Sequence, residues 1–393
     1  MSQALLSPYK LGSLELPNRV VMAPMTRNRA DNPGNLPTGL TAQYYAQRAT
    51  AGLIISEGTF VSTQGIGFIN VPGMYTAEQA EAWKQVTTAI HAAGGRIFAQ
   101  LWHVGAISHP DLLGGALPVA PSAINPETKA YTQDGFKPTV TPRALETEEV
   151  AAIVQDFRLA AARAAAAGFD GVELHGANAY LIQQFLSAST NKRTDRYGGS
   201  IENRTRFLFE VIEAVRQEFP ADRIGLKLNP AADGFAGVLF DDETLAVYRH
   251  IVARINASPI GYLHITEPTN AHEHLPKELF APSVAAYFRP LYHGTIIAGV
   301  DYSQESANRA LEEGYADLVA FGRAYIANPD LVARFESHAP LAAADRATFY
   351  TGGAKGYVDY PAYSPAQTLE TSAQTVAPGE RFFETRAKTR AGK

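Results

Sequence analysis

The chain has 393 residues, of which 46% are hydrophobic and 19% charged, and its net charge is −5. This composition is typical of a globular protein, and the lack of a long basic run argues against binding to nucleic acid or to an anionic membrane. There is no cysteine, which excludes disulfides, thiolate metal sites and cysteine nucleophiles. We predict no metal site. Because neither a signal peptide nor a membrane-length apolar run is found, we expect a cytoplasmic protein.

Short apolar runs alternate with helical patterns eight times along the chain. The predicted strands are Val20–Met22, Leu53–Ile55, Ile97–Ala99, Val172–Leu174, Ile224–Leu228, Tyr262–Ile265, Thr295–Ala298 and Leu318–Phe321. The predicted helices cover about 40–50, 78–93, 147–167, 200–218, 241–256, 279–289, 303–313 and 328–337. Eight strand–helix units predict an α/β protein with a (β/α)8 TIM barrel. A doubly wound open sheet is the alternative, although it seldom needs eight regular units.

Two segments exceed the basic barrel. Residues 101–145, rich in glycine and proline, form a long excursion after the third strand, and such excursions often cover an active site. Because no linker divides the remainder, we predict one barrel domain over residues 1–364. We expect the polar residues 365–393 to form a flexible C-terminal tail.

The stretch His175-Gly-Ala-Asn178-Ala-Tyr180 directly follows the fourth strand and precedes a helix predicted to reach residue 186. Such junctions are where α/β proteins place their chemistry. His175 and Asn178 lie three residues apart, so in a first helical turn both would donate hydrogen bonds to one carbonyl or nitro oxygen. Tyr180 offers a phenolic proton, so the set suits proton delivery beside an activated carbonyl. The alternative is that these polar groups only satisfy backbone at a helix start.

Alternation along the strands turns two charged side chains toward the barrel axis. If Val172 and Leu174 face the helices, Glu173 points inward. The same alternation in the fifth strand turns Lys227 inward. Burying a lone ammonium is costly, so Lys227 either pairs with Glu173 inside the barrel or lies beside an electron-rich cofactor, and both can hold together.

The last two strands end in a pattern suited to an anion. The seventh strand ends in Ala298-Gly299-Val300, and the eighth ends in Phe321-Gly322-Arg323. Loops after these two strands form the usual phosphate site of such barrels. Glycine lets backbone N–H groups approach the phosphate, and arginine supplies a charged fork.

Neutral polar residues follow the first and third strands. Ala23-Pro24-Met25-Thr26 comes after the first strand, Gly58 after the second, and Gln100 closes the third. Threonine and glutamine suit the edge of a flat heterocycle with alternating N–H and C=O groups. Together with the cation and the phosphate pattern, they predict a phosphorylated planar cofactor across the barrel mouth, which carries the electron chemistry.

These motifs resemble the Old Yellow Enzyme family of FMN-dependent ene-reductases, nearest the branch with threonine rather than cysteine at the position of Thr26. The resemblance runs from about Leu5 to Tyr363. It implies that NADPH or NADH reduces FMN, which then sends hydride to the β-carbon of an α,β-unsaturated carbonyl or nitro compound. The motifs that carry it are Ala23 to Thr26, Gln100-Leu-Trp102-His103, His175 to Tyr180, Asn191 to Ser200 with Glu202-Asn203-Arg204, and Phe321 to Arg323.

The resemblance also implies residue roles. His175 and Asn178 would bind the activating oxygen, and Tyr180 would protonate the α-carbon. The flavin ring would contact Ala23, Pro24, Met25, Thr26, Gly58, Gln100, His175 and Lys227, and its phosphate would contact Ala298, Gly299, Val300, Gly322 and Arg323. The substrate pocket would include Phe68, Trp102, His175, Asn178, Tyr180 and Tyr357.

Several positions depart from the family pattern. Many relatives have arginine in place of Lys227, tyrosine in place of Phe68 and glycine in place of Val300. Lysine keeps the positive charge but loses the fork geometry, so flavin affinity or potential would differ. Residues 266–280, which often shape the pocket, match the family poorly.

Three other functions are compatible with parts of the sequence. Lys227 can serve as the Schiff-base amine of a barrel lyase or aldolase. Glu57, Glu173 and Glu267 can serve as the paired carboxylates of a glycosidase. A flavoprotein kept for storage or sensing would bind FMN without turnover.

Overall fold

The computed structural model describes residues 3–268 and 275–363. Eight parallel strands within these ranges close into a barrel. Each pairs with its neighbour in sequence, and the eighth pairs with the first, so the predicted TIM barrel is confirmed. The strands, β1 to β8 in chain order, are Val20–Met22, Leu53–Phe60, Ile97–Trp102, Gly171–Gly176, Ile224–Leu228, Tyr262–Thr266, Thr295–Gly299 and Leu318–Phe321.

Helices cover the outside of the barrel. In the described residues they are α1 Gly39–Ala46, α2 Ala77–Ala92, α3 Thr147–Ala166, α4 Leu181–Leu186, α5 Ile201–Val215, α6 Thr244–Ala257, α7 Val284–Phe288, α8 Gln304–Glu312, α9 Arg323–Ala327 and α10 Leu331–Ser337. Each of the eight predicted helical regions contains one of these, whereas α9 was not predicted. Gly94 and Gly168, which follow the ends of α2 and α3, both have positive φ, +81° and +83°, the conformation that glycine adopts readily at a helix end.

The two faces of the strands separate as alternation predicts. Val172 and Leu174 pack in the large apolar cluster shared with the helices. A second cluster joins inward side chains of the strands, among them Phe98 and Ile297, to the leucines of an N-terminal hairpin, Tyr9–Leu11 with Leu14–Leu16. This apolar cluster fills one end of the barrel, so the polar inward residues lie toward the carboxyl ends of the strands.

The predicted excursion after β3 carries a hairpin of its own, Lys129–Thr132 with Gly135–Pro138. The Ile69 N–H donates to the Tyr131 carbonyl oxygen at 3.2 Å, and Phe68 bridges to Tyr131. Because Phe68 belongs to the loop that follows β2, these contacts hold the hairpin beside the carboxyl ends of the strands. The predicted tail, 365–393, lies outside the described residues, as do residues 269–274 of the poorly matching segment.

Candidate active site at the barrel mouth

Aromatic side chains gather at the carboxyl ends of β3 and β4. The Trp102 ring stacks on Phe60 and Phe68, with centroids 4.9 and 5.5 Å away. It also stacks on the His175 imidazole at 5.9 Å and meets the Tyr180 ring edge-on at 4.8 Å. Trp102 thus fixes the His175 imidazole and the Tyr180 phenol relative to one another.

Gly58 lies within β2 and not after it, as the sequence had indicated, and it makes this position of Trp102 possible. The pairing of β2 with β3 shifts register between Ile55 and Gly58. A Cβ atom added at Gly58 would lie 2.4 Å from Cε3 of Trp102, closer than van der Waals packing allows. Glycine at this position therefore admits the indole ring.

The turn that follows β4 differs from the sequence expectation. Asn178 and Ala179 have positive φ angles of +57° and +59°, and α4 begins only at Leu181 with Tyr180 as its N-cap residue. The expectation that His175 and Asn178 share a first helical turn is therefore wrong. Asparagine tolerates the left-handed conformation better than most residues, and Asn178 remains exposed at the mouth.

His175 is held as a neutral hydrogen-bond donor. Its Nδ1 accepts a hydrogen bond from the backbone N–H of Ala177 at 3.3 Å, which places the ring proton on Nε2. Burial, and then the nearby Lys227 and His264, lower the pKa of His175 well below its ordinary value. An imidazole in this state donates one hydrogen bond without adding charge.

Tyr180 is held in its protonated form. Burial is the main cause that raises the pKa of this phenol, and the nearby Tyr350 raises it further. Tyr350 itself is about half exposed. Sequence reasoning missed Tyr350, because it lies far from every motif and reaches the mouth only through folding of the last described segment.

A layer of polar side chains lies inside the barrel near these residues. The Glu173 carboxylate, fully buried, accepts hydrogen bonds from Gln100 Nε2 at 2.8 Å, the Tyr262 hydroxyl at 3.1 Å and His264 Nδ1 at 2.9 Å. Lys227 lies inside the barrel and interacts electrostatically with Glu173. No hydrogen bond or ion pair within 4.0 Å joins the two in the described part of the chain, so the alternative of a direct pair is not found.

The ends of β8 and β1 meet at the mouth. The Ala23 N–H donates to the Phe321 carbonyl oxygen at 3.0 Å. A Cβ atom added at Gly322 would have Met25 Sδ at 3.6 Å and Ala23 Cβ at 3.8 Å as its nearest neighbours. The residues predicted to contact flavin and phosphate at these two strands are therefore adjacent. The four residues after β1 are all partly exposed: Ala23, Pro24, Met25 and Thr26.

The predicted phosphate pattern after β7 contains left-handed backbone. Ala298 and Gly299 close the buried end of β7, while Val300 and Asp301 have φ of +81° and +59°. A β-branched residue adopts such a φ only at a cost. Arg323, at the start of α9, forms an ion pair with the Asp301 carboxylate, and both side chains are mostly exposed.

Two arginines after Thr26 hold the last described segment against the barrel. Arg27 Nη2 donates to the Gly356 carbonyl oxygen at 2.7 Å, and Arg29 Nη2 donates to that of Thr348 at 2.8 Å. Neither arginine was among the predicted site residues, although two arginines directly after the predicted cofactor residue Thr26 were a signal in the sequence.

Tyr357 lies in the same region and apart from the aromatic cluster. It is fully buried and stacks on Tyr44, with centroids 4.1 Å apart. The guanidinium groups of Arg27 and Arg29 lie 5.3 and 4.8 Å from its ring centroid. These contacts are those of a packed core residue, and a role for Tyr357 in substrate binding stays a prediction.

Comparisons with known proteins show which family the chain belongs to. The sequence matches the NADH:flavin oxidoreductase / NADH oxidase family over residues 4–342. It is 45% identical over 361 residues to 12-oxophytodienoate reductase 1 of Oryza sativa subsp. japonica, covering 91% of this chain and 92% of that protein. In the described part of the chain, no helix is long and apolar enough to span a membrane.

Solved structures agree with the sequence comparison. Morphinone reductase matches with a TM-score of 0.87 and 44% identity, covering 93% of this chain and 98% of that one. An old yellow enzyme homologue from Zymomonas mobilis matches with a TM-score of 0.86 and 39% identity, covering 92% and 100%. The chain therefore belongs to the NADH:flavin oxidoreductase / NADH oxidase family, which confirms the expectation of an FMN-dependent ene-reductase of the Old Yellow Enzyme family.

Proposed function

We propose that His175, Asn178 and Tyr180 act together on an alkene that carries a carbonyl or nitro group. The observation that carries this proposal is the contact of His175 with Tyr180, whose ring centroids lie 4.9 Å apart at 88°. The imidazole presents a neutral Nε2–H donor, and the phenol beside it keeps its proton. A donor for the developing negative oxygen and a weak acid for the carbon are the two groups that this reduction needs.

The residues at the mouth fit FMN. Lys227 is only 9% exposed and has no hydrogen-bond or ion-pair partner in the described residues. A buried ammonium group without a partner is suited to contact an electron-rich ring. Gln100 gives its amide N–H to Glu173, so its Oε1 can accept an N–H from the ring edge. FMN, when bound, supplies the hydride chemistry. We propose that Thr26, Gln100 and Lys227 hold its ring, and Ala298, Gly299, Val300, Gly322 and Arg323 its phosphate.

Side chains of this protein position the substrate and hold the proton that the substrate receives. His175 and Asn178 hold the activating oxygen and thereby fix which alkene carbon lies nearest the Tyr180 hydroxyl. The high pKa of Tyr180 keeps its proton until the neighbouring carbon becomes basic enough to take it. Phe68 and Trp102 supply apolar walls that exclude water from that carbon.

We propose small α,β-unsaturated carbonyl and nitro compounds as the substrate class and NADPH or NADH as the reductant. Relatives are named as reductases of 12-oxophytodienoate and of morphinone. One matching structure is morphinone reductase in complex with tetrahydroNAD, at 45% identity. A cytoplasmic location remains a prediction from the sequence.

The carboxylates that a glycosidase would need are already engaged. Glu173 is fully buried under three donors. Glu57 accepts from the Arg27 N–H at 3.3 Å, and Glu267 accepts from the Val284 and Ala285 N–H groups at the start of α7. No pair of these three carboxylates is left to flank a sugar, which argues against the glycosidase alternative.

The experiment that tests the proposal follows the visible spectrum of the purified protein. We expect a yellow protein whose absorbance bleaches when NADPH or NADH is added without oxygen and returns when cyclohexenone is added. A protein that fails to bind added FMN would overturn the proposal. Bleaching without recovery on cyclohexenone would favour a flavoprotein that does not turn over alkenes. Trapping of a carbonyl compound on Lys227 by borohydride would favour the aldolase alternative.

A further inference from the structure

Glu173 is the most completely engaged ionisable side chain inside the barrel. Its carboxylate is fully buried and accepts from an amide, a phenol and an imidazole. In the strand register, Glu173 lies opposite Gln100 on β3 and opposite Gly225 on β5. The alkene chemistry proposed above does not require Glu173. The three groups that donate hydrogen bonds to Glu173 come from two different strands.

Glycines on the neighbouring strands allow this arrangement. A Cβ atom added at Gly225 would lie 2.1 Å from Cζ of Tyr262, so the absence of a side chain there lets the phenol cross β5 to reach Glu173. A Cβ atom added at Gly299 would lie 2.7 Å from Nε2 of His264. The barrel thus leaves room on two strands to bring donors to one carboxylate.

The hydrogen bond from Gln100 fixes the direction of its amide. Nε2 is held on the Glu173 carboxylate at 2.8 Å. Because the amide oxygen and nitrogen lie on opposite sides of the same carbon, Oε1 is left to accept a hydrogen bond elsewhere. A carboxylate can accept and cannot donate, so its ionised form enforces this orientation.

The position of Glu173 also places a negative charge near Lys227. Lys227 lies one layer closer to the mouth than Glu173, opposite His175 in the register of β4 and β5. Burial opposes ionisation of Glu173, but His264 and Lys227 outweigh it and hold the pKa of the carboxyl below its ordinary value. A fixed negative charge therefore lies next to the cation of the mouth.

We propose that Glu173 is a positioning residue for the flavin, which orients the Gln100 amide toward the ring edge and offsets the positive charge of Lys227. This inference rests on the proposed function, because it assumes that the mouth binds FMN. Reduction adds negative charge to the ring, so a neighbouring carboxylate lowers the reduction potential and a neighbouring cation raises it.

The test compares the midpoint potential of bound FMN in the wild-type holoprotein with that of Glu173→Gln and Lys227→Met. Glutamine keeps the size and the accepting oxygen of Glu173 but removes the charge. We expect Glu173→Gln to shift the potential upward and Lys227→Met to shift it downward. An upward shift of about 30 mV corresponds to about tenfold tighter binding of reduced relative to oxidised FMN for a two-electron couple.

A merely structural role for Glu173 predicts a different pattern. Tyr262→Phe removes one donor but keeps the charge, and it leaves the carboxylate less compensated. We expect a small downward shift there, opposite in sign to Glu173→Gln. A structural role would instead weaken FMN binding in both variants without opposite shifts. If Glu173→Gln does not fold, the Tyr262→Phe potential decides, and an unchanged or raised value overturns the inference.

The proposed function and the role of Glu173 can fail separately. If the wild-type protein does not bind FMN, or if its reduced FMN is not reoxidised by cyclohexenone, the proposed function fails. If the wild type does both and Glu173→Gln leaves the potential unchanged or lower, only the role of Glu173 is overturned. Dissociation constants of FMN measured beside the potentials show whether a shift comes from the oxidised or the reduced form.

Discussion

The phenol ring of Tyr180 stands edge-on to the imidazole of His175, with their planes at 88°. Both rings also contact Trp102. Because three aromatic groups hold one another, removal of the Tyr180 hydroxyl leaves the imidazole with the same ring contacts. The roles that we propose for Tyr180, the acid, and for His175, the oxygen-binding donor, can therefore be tested separately by mutation.

Tyr180→Phe tests the proton donor. We expect flavin reduction by the nicotinamide to stay nearly unchanged, because that half-reaction needs no proton from the phenol. We expect reoxidation by cyclohexenone to slow by roughly 10²–10⁴, the usual contribution of a general acid. Stopped-flow absorbance measures each half-reaction alone. Equal slowing of both would count against Tyr180 as the donor and would point to a disturbed mouth.

Gly58→Ala tests the packing that places Trp102. The added methyl would lie 2.4 Å from the indole ring, and that ring cannot move freely because Phe60 and Phe68 stack on it. We expect a loss of about 1–3 kcal/mol of stability, typical of overpacking, together with slower alkene reduction. Thermal unfolding and the oxidative half-reaction measure the two effects.

The matched control for that variant is Gly39→Ala, at the start of α1. A Cβ atom there has nothing within 4 Å, so we expect stability to stay equal or to rise slightly. If Gly58→Ala were as stable and as active as Gly39→Ala, the link between Gly58, Trp102 and the mouth would be wrong.

Asp301→Asn tests the phosphate site. Asp301 pairs with Arg323, the arginine that we expect to bind the phosphate, so the carboxylate competes with the cofactor. Exposed ion pairs contribute about 0.2–1 kcal/mol, which corresponds to at most about fivefold tighter FMN binding in the variant. Fluorescence titration of the apoprotein measures the affinity for FMN. The affinity for riboflavin, which lacks the phosphate, should not increase in the variant.

The control for Asp301→Asn is Glu213→Gln, which removes another exposed carboxylate paired with an arginine, Arg216 at the C-terminal end of α5. Glu213→Gln should change neither the affinity for FMN nor the affinity for riboflavin. Equal tightening of FMN and riboflavin by Asp301→Asn would show that the carboxylate does not act at the phosphate.

His103→Gln tests the pH dependence of stability. Burial lowers the pKa of His103 to about 3, whereas an unfolded histidine has a pKa of about 6.5. Below about pH 6.5 the unfolded state therefore holds a proton that the native state lacks, and stability falls as pH falls toward 3. The slope from one such group reaches about 1.4 kcal/mol per pH unit.

We expect the melting temperature of His103→Gln to fall less steeply than that of the wild type between pH 7 and pH 5. The matched control is His293→Gln, which removes an exposed imidazole and leaves the buried one in place. Parallel curves for the wild type and His103→Gln would show that the native state takes up the proton at His103 after all.

The order of strands and helices could be predicted because short apolar runs alternate with helical patterns along the whole barrel. A predicted local conformation that failed is the turn after β4. Asn178 and Ala179 both adopt left-handed backbone, and their sequence is equally compatible with a helical turn. Side chains of α4 hold the turn, because Gln183 accepts from the Ala179 N–H and Gln184 donates to the Ala179 carbonyl oxygen. A contact that is distant in sequence also holds it, since the Leu181 N–H donates to the His103 carbonyl oxygen at 3.1 Å.

The sequence by itself determined the barrel, the place of the reactive residues at strand ends and, through alternation, the inward direction of Glu173 and Lys227. Only the tertiary structure decided the partners of those charges. Glu173 receives one donor from the adjacent strand β3 and two from β6, and Tyr262 of β6 reaches it because Gly225 leaves room to cross β5. Lys227 is left without a direct pair in the described residues. Alternation fixes which face a side chain occupies, but distances across a closed barrel depend on the register and on the side chains of all the strands together.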